Sequence, residues 1–238
     1  EGGGGAAGGL VALQNRVLDG QGAPTPATQA TSFDKVEALT LATGSGGDTV
    51  LLRNAPALPV TVSTGQGNDR VVVAALAGTG TTTVNLGDGN DEALLQATGP
   101  GGTLDLNAGS GDDRITLSAT GASSTTRVAG GTGSDKLVID YSGSNRGETM
   151  SVSGNATDGF SGNISDAYND PLGWASNFSG IETFDVTTGT GDDRIYLGSV
   201  DTDTHISSGA GNDHICIRKG LGGVVDEGGR SEEHTSEL

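Results

Sequence analysis

The sequence is poor in aromatic residues, contains a single cysteine and has no long apolar segment. Aromatic side chains occupy 3% of its 238 positions, so the chain cannot build one thick core, although it can build a thin, repetitive one. Because Cys216 stands alone, no internal disulfide can form. No apolar run approaches the roughly 20 residues of a membrane span, and no signal-peptide pattern is present.

Basic residues are also scarce. There are 12 Lys and Arg against 30 Asp and Glu, a formal net charge of −18. Without a basic stripe to neutralise phosphates, we expect neither a nucleic-acid partner nor insertion into a membrane. Carboxylate oxygens favour hard cations such as calcium. Glycine is abundant, with 43 residues, whereas a typical share is about 7%.

The pattern Gly-x-Gly-x-Asp occurs seven times. Its first glycines are separated by 21, 22, 22, 22, 58 and 20 residues, so the motif follows a near-constant period with one interruption. One such motif would be a weak signal, but seven at a fixed period indicate a repeat architecture. The copies are Gly44–Asp48, Gly65–Asp69, Gly87–Asp91, Gly109–Asp113, Gly131–Asp135, Gly189–Asp193 and Gly209–Asp213.

Each motif lies between two stretches of alternating apolar residues. Ile115 and Leu117 follow Asp113, for example, and Leu106 precedes Gly109 by three positions. Period-two alternation predicts β-strands with one buried face. Each unit of 20–22 residues therefore reads as strand, turn, strand, turn. The opposite turns lack the aspartate, so we expect an all-β, right-handed parallel β-solenoid with one acidic edge and one irregular insertion.

The turns and following strands resemble the nonapeptide Gly-Gly-x-Gly-x-Asp-x-U-x of the repeats-in-toxin, or hemolysin-type calcium-binding, family, in which U is a large apolar residue. The resemblance covers roughly residues 43–140 and 187–217. Two features depart from the family pattern: the motif occurs once per coil, and the family's first glycine is kept only at Gly130. At the other turns that position is occupied by Thr43, Thr64, Leu86, Ala108, Thr188 and Ser208.

The resemblance implies a calcium site between adjacent turns, with aspartate as the side-chain ligand and glycine-loop carbonyls completing the shell. The matching aspartates are Asp48, Asp69, Asp91, Asp113, Asp135, Asp193 and Asp213. The matching glycines are Gly44, Gly46, Gly65, Gly67, Gly87, Gly89, Gly109, Gly111, Gly131, Gly133, Gly189, Gly191, Gly209 and Gly211. We expect Asp88, Asp112 and Asp192 to add negative field rather than ligands. The alternative is a set of solvated turns without metal.

We divide the chain into a Gly-rich lead-in that begins inside a preceding unit (1–32), solenoid coils (33–140), an aromatic-containing insertion (141–186), further coils (187–229) and a tail that resembles translated sequencing adapter (230–238). For the insertion, a small core of its own is favoured over a ligand platform of exposed aromatics. It holds most of the chain's aromatic residues: Tyr141, Phe160, Tyr168, Trp174, Phe178 and Phe184.

No hydrolase motif is present, so we expect no enzymatic activity. Phe33–Leu39 and Phe178–Phe184 resemble each other at an offset of 145 residues, which indicates a larger repeat and a long parent protein. The first hypothesis is therefore a calcium-binding structural segment of a secreted or cell-surface bacterial protein such as an adhesin, with a cell-surface or carbohydrate target left open. The second is an accessory region of a secreted protease or lipase. A third, ice binding, is weak because the second turn position forms no regular Thr array.

Overall fold

The computed structural model describes residues 10–18, 24–32, 36–53, 57–76, 79–96, 102–118, 125–155, 157–166, 175–198, 204–217 and 224–226. Within these ranges no helix has the length and apolarity needed to cross a bilayer. Several sequence predictions concern positions outside them: the glycine run at 2–5, most residues of the turns opposite the acidic ones, Tyr168, Trp174, Gly229 and the tail 230–238.

The described strands form two ten-stranded sheets, which we call sheet A and sheet B. In spatial order, sheet A contains β2 (Pro24–Ser32), β1 (Leu10–Leu18), β4 (Thr49–Leu52), β6 (Arg70–Val73), β8 (Glu92–Leu95), β10 (Arg114–Ser118), β12 (Lys136–Asp140), β16 (Thr183–Thr187), β18 (His205–Ser207) and β20 (Val224–Asp226). Sheet B contains β19 (His214–Ile217), β17 (Arg194–Leu197), β13 (Glu148–Asn155), β14 (Gly159–Asp166), β15 (Ala175–Ile181), β11 (Thr125–Thr132), β9 (Thr103–Ser110), β7 (Thr81–Asp88), β5 (Val60–Gln66) and β3 (Leu39–Ser45).

In the coils, successive strands alternate between the sheets and each pairs in parallel with the strand one coil away, whereas β1, β2 and β14 pair antiparallel with their neighbours. Val62 pairs with Val84, which pairs with Leu106, at steps of 22 residues. Equal coil lengths place like residues in register, and the period-two alternation turns every second side chain inward. The predicted all-β parallel solenoid is confirmed, with about seven turns.

The core is a narrow line of aliphatic side chains between the two sheets. Val62, Val84, Ile115 and Leu137 are fully buried, as the alternation predicted. A buried aliphatic side chain contributes about 1.5–3 kcal/mol. A coil buries few of them, so the apolar core leaves much of the cost of ordering the backbone to be met by other interactions.

The phenylalanine side chains of the insertion join this common core rather than forming a separate one. Phe160 and Phe178 lie 5.5 and 5.4 Å, centroid to centroid, from Phe184. All three belong to the hydrophobic cluster of the coils. The prediction of a separate small core is therefore wrong, because β15 and β16 form a coil of the stack, and only the hairpin β13–β14 is added to sheet B.

The acidic turn lies on a different edge after the insertion. In the first five coils the motif follows a strand of sheet B and leads into sheet A, but Gly189–Asp193 and Gly209–Asp213 follow β16 and β18 of sheet A. The coil strands within each sheet run in one direction, so the two kinds of turn lie at opposite edges. The prediction of a single acidic edge is wrong for the last two turns.

The strand β4, at the first coil, is covered by the hairpin β1–β2. Strand β1 pairs antiparallel with both β2 and β4. An open strand edge exposes unpaired backbone groups and invites aggregation, so a hairpin laid along it protects this end of sheet A.

Candidate functional site

The glycines of the turns are required by backbone conformation, by close contact between coils, or by both. Gly87 and Gly89 have φ of +113° and +142°, values that L side chains rarely adopt. A Cβ on Gly87 would also overlap the carbonyl oxygen of Gly65 in the preceding coil. At Gly189 and Gly191, where φ is not positive, a Cβ would still overlap backbone atoms of the neighbouring loop. The Gly-x-Gly spacing therefore permits the turns to stack.

The aspartates of the first five turns stack in one column, which continues into Glu182. The backbone N–H of each of these aspartates donates to a carboxylate oxygen of the following member, with N···O distances of 2.7–2.9 Å. Each carboxylate therefore joins two coils. We call this set the first acidic column: Asp48, Asp69, Asp91, Asp113, Asp135 and Glu182.

The second carboxylate oxygen of each aspartate in this column has no partner. Asp69, Asp91, Asp113 and Asp135 are at most 2% exposed. Their Oδ2 atoms, and that of the partly exposed Asp48, are buried without a hydrogen bond. Buried polar atoms in proteins are nearly always hydrogen-bonded, so five consecutive exceptions at one position point to a proton or a cation at each carboxylate.

Burial changes the acidity of these groups. Burial, and then the neighbouring carboxylates, raise the pKa of Asp113 to about 7, although the hydrogen bond from the Asp91 N–H acts in the opposite direction. Burial and the Glu182 carboxylate raise the pKa of Asp135 to about 6, and burial raises the pKa of Asp91. The carboxylate form is therefore unfavourable here unless positive charge is supplied.

A second acidic column lies at the opposite edge and consists of Glu148, Asp193 and Asp213. The N–H of Glu148 donates to Asp193 Oδ1 at 2.6 Å, and the N–H of Asp193 donates to Asp213 Oδ1 at 3.0 Å. Both Oε atoms of Glu148 and the Oδ2 atoms of the two aspartates are buried without a hydrogen bond of normal geometry. Burial, and then the adjoining Asp193 carboxyl, raise the pKa of Glu148 to about 8.

A second set of hydrogen bonds joins the turns beside the columns. In this set each backbone N–H donates to a side chain of the preceding coil instead of the following one. Asn68, Asn90 and Asp112 each accept the N–H of the residue before the motif aspartate in the following coil, at 2.9–3.0 Å, and Asp192 does the same on the second edge. Asp88 accepts a hydrogen bond from Ser110 Oγ at 2.8 Å. The three aspartates predicted to add only negative field therefore also hold neighbouring coils together.

Glu148 and Glu182 are members of the columns that the motif search missed. Lys136 pairs with Thr183 and Thr149 with Arg194, which places each glutamate beside a motif aspartate. The available signal was position: each glutamate stands directly before an alternating strand, as the aspartates do. Neither is preceded by the complete Gly-x-Gly turn.

The donor chemistry of the columns fits a hard cation. The unpartnered atoms are carboxylate oxygens, which are ligands that calcium accepts. Among the described residues, no three His, Cys, Asp or Glu side chains converge on one point. A cation between two turns would therefore need backbone or hydroxyl oxygens as well, and a zinc site of nitrogen and sulfur ligands is not formed by these residues.

No protein-family model, curated protein or solved structure matches this chain. The interpretation of the columns consequently depends on their own geometry and on the motif resemblance.

Proposed function

We propose that this chain is a calcium-binding structural segment of a large secreted or cell-surface bacterial protein of the repeats-in-toxin type, without catalytic activity, in which calcium drives folding outside the cell. The observation that carries the proposal is the unpartnered Oδ2 atom, repeated at all seven motif aspartates. In each turn one carboxylate oxygen holds the neighbouring coil, and the other would hold the cation.

The energetic argument favours a cation at neutral pH. Burying an ionised carboxylate costs several kcal/mol, whereas a hydrogen bond to a charged group returns about 1.5–3 kcal/mol. Two carboxylates on strands about 4.8 Å apart repel each other by roughly 3 kcal/mol at an effective dielectric constant of about 20. A divalent cation between them converts this repulsion into attraction, and the gain is repeated along the column.

Cation binding would then be part of folding itself. A coil of about 22 residues loses roughly 1–2 kcal/mol of backbone entropy per residue, more than its thin apolar core returns. A ligand that binds the stacked turns and not the open chain shifts the equilibrium towards the fold. Calcium is scarce inside cells and plentiful outside them, so the chain would fold after export. The 145-residue internal similarity supports a structural, adhesin-like role.

The test is a calcium titration of the whole chain, followed by circular dichroism and by equilibrium dialysis to count bound ions. We expect a largely disordered chain in chelator and β-structure in millimolar calcium. Asp91→Asn should lower the number of bound ions, whereas Asp88→Asn, an exposed carboxylate in the same turn, should not. A spectrum that does not change with calcium, together with no bound ion, would overturn the proposal.

A further inference from the structure

We infer that the second acidic column forms its own cation site, completed by Glu148, which loads independently of the first column. This inference rests on the proposed function and extends it to a ligand outside the Gly-x-Gly-x-Asp motif. It also assigns the last two coils to a site on the opposite edge of the solenoid.

Glu148 is the most deeply buried carboxyl group of the second column. Its side chain is 0% exposed, and neither of its oxygens has a hydrogen bond of normal geometry, although the Asp193 carboxyl and the Ser144 side chain adjoin it. Asp193 and Asp213 are 1% and 4% exposed, and each adds one unpartnered oxygen. Three buried carboxyl groups in adjacent coils thus present four unpaired oxygens along one line.

The loop 141–147 forms the first turn of this column without the motif sequence. The N–H of Tyr141 donates to Thr187 O at 2.7 Å, and the N–H of Thr190 donates to Ser144 O at 2.9 Å. A Cβ on Gly189 would overlap Ser144 O, so the loop and the motif turn are in close contact. Glu148 follows this loop as Asp193 follows its own turn, and the two carboxyl groups therefore adjoin.

In the second column a hydroxyl-bearing residue precedes both motifs. The residue before the motif lies next to the carboxyl group of its own turn, since a Cβ on Gly130 would be 2.7 Å from Asp135 Oδ2. This position holds Thr188 and Ser208 in the second column, whereas in the first it is mixed: Thr43, Thr64, Leu86, Ala108 and Gly130. Ser208 Oγ is itself buried without a partner. Hydroxyl oxygens suit the shell of a hard cation.

The charge balance around the column leaves room for a cation. Arg146, in the loop before Glu148, is paired with the buried carboxylate of Asp166, so its charge is matched there. Among the described residues no three acidic side chains converge on one point, so a cation here would lie between two neighbouring carboxyl groups, and the members of the two columns lie at opposite edges. A cation at one edge therefore shares no carboxylate with a cation at the other, which is why loading should be independent.

The experiment compares the whole chain with Glu148→Gln, Asp113→Asn and the exposed control Glu92→Gln, with calcium alone as the probe. Bound ions are counted by equilibrium dialysis, and hydrogen exchange is followed separately in residues 60–118 and 189–217. Glu148→Gln should lose about one ion and roughly tenfold or more of the calcium-dependent protection in 189–217 only. Asp113→Asn should instead lose its ion and its calcium-dependent protection in residues 60–118 only. Glu92→Gln should match the wild type in both measurements.

The outcomes separate this inference from the proposed function. If the wild-type chain binds no calcium, both fail. If it binds calcium but Glu148→Gln keeps every ion and all protection in 189–217, only the present inference is overturned. Glu148→Asp retains the charge and should recover part of the lost protection. If Glu148→Gln and Glu148→Asp both unfold residues 60–118 as well, the two columns are not independent and the inference is overturned.

Discussion

The backbone N–H of Asp135 donates to Glu182 Oε2 across 2.7 Å, although the two residues are 47 positions apart. Asp113 makes the same contact with Asp135, 22 positions later, at 2.9 Å. The first acidic column therefore continues into a coil that contains no Gly-x-Gly-x-Asp motif. The longer glutamate side chain reaches the position that an aspartate occupies in the other turns.

The contact between stacked glycines can be tested at Gly87. Gly87→Ala introduces both an unfavourable positive φ and an overlap with Gly65 O, so we expect a loss of at least about 4 kcal/mol in the free energy of unfolding. Gly44 has a similar φ of +115°, but a Cβ there would meet nothing within 4 Å. Gly44→Ala should therefore cost only the backbone strain of a positive φ, a loss of about 1–3 kcal/mol in the free energy of unfolding. Denaturant unfolding in saturating calcium measures both, and equal losses would argue against the overlap.

Replacing one buried carboxylate should have opposite effects with and without calcium. Asp113→Asn keeps an oxygen for the Asp91 N–H and removes the buried charge, so in chelator at pH 8 it should stabilise the fold by about 1–3 kcal/mol. In calcium it should destabilise the fold by a similar amount, because a ligand is lost. The effect in chelator is measured as the change in the osmolyte concentration needed to fold the chain. The effect in calcium is measured as the change in melting temperature. Stabilisation under both conditions would indicate a protonated column instead of a calcium site.

The pH dependence of folding should be weakened by calcium. Asp113 and Asp135 have pKa values of about 7 and about 6 in the fold, raised from 3.8 chiefly by burial. Raised carboxyl pKa values stabilise the fold below pH 4, and this contribution is lost as the pH rises through 6 and 7. In chelator, β-structure should therefore increase as the pH falls from 8 to 5. In saturating calcium it should hardly change, because the bound cation already stabilises the fold and protons only replace it at the same carboxylates. Circular dichroism at fixed ionic strength distinguishes the two slopes, and parallel slopes would contradict the prediction.

The shared core predicts that a defect in the aromatic segment spreads through the coils. Phe184→Ala removes a fully buried ring that contacts Phe160 and Phe178, and we expect a loss of about 3–5 kcal/mol. Tyr196, which is 40% exposed, provides the matched control, and Tyr196→Ala should cost much less. Hydrogen exchange should show reduced protection in residues 102–140 as well as 175–198. A loss confined to 148–166 would indicate a separate core.

The sequence by itself determined the repeat, the strands, the inward-facing residues and the seven turns at which carboxylates gather. These follow from local rules, because alternation selects the buried face and equal spacing places Asp91 above Asp69. The sequence pattern did not determine which edge carries each turn. That choice depends on which sheet the strand before each motif joins: the strands before the first five motifs join sheet B, whereas β16 and β18 join sheet A.

Only the tertiary structure decided that Glu148 and Glu182 belong to the columns. Each glutamate meets its partner aspartate through a pairing that spans 45 or 47 residues, and such a register is set by how whole strands pack, not by neighbouring residues. The same holds for Phe160, Phe178 and Phe184, whose shared core forms because β15 and β16 stack on β11 and β12. Local patterns predict elements, whereas contacts across an interruption depend on which elements pair.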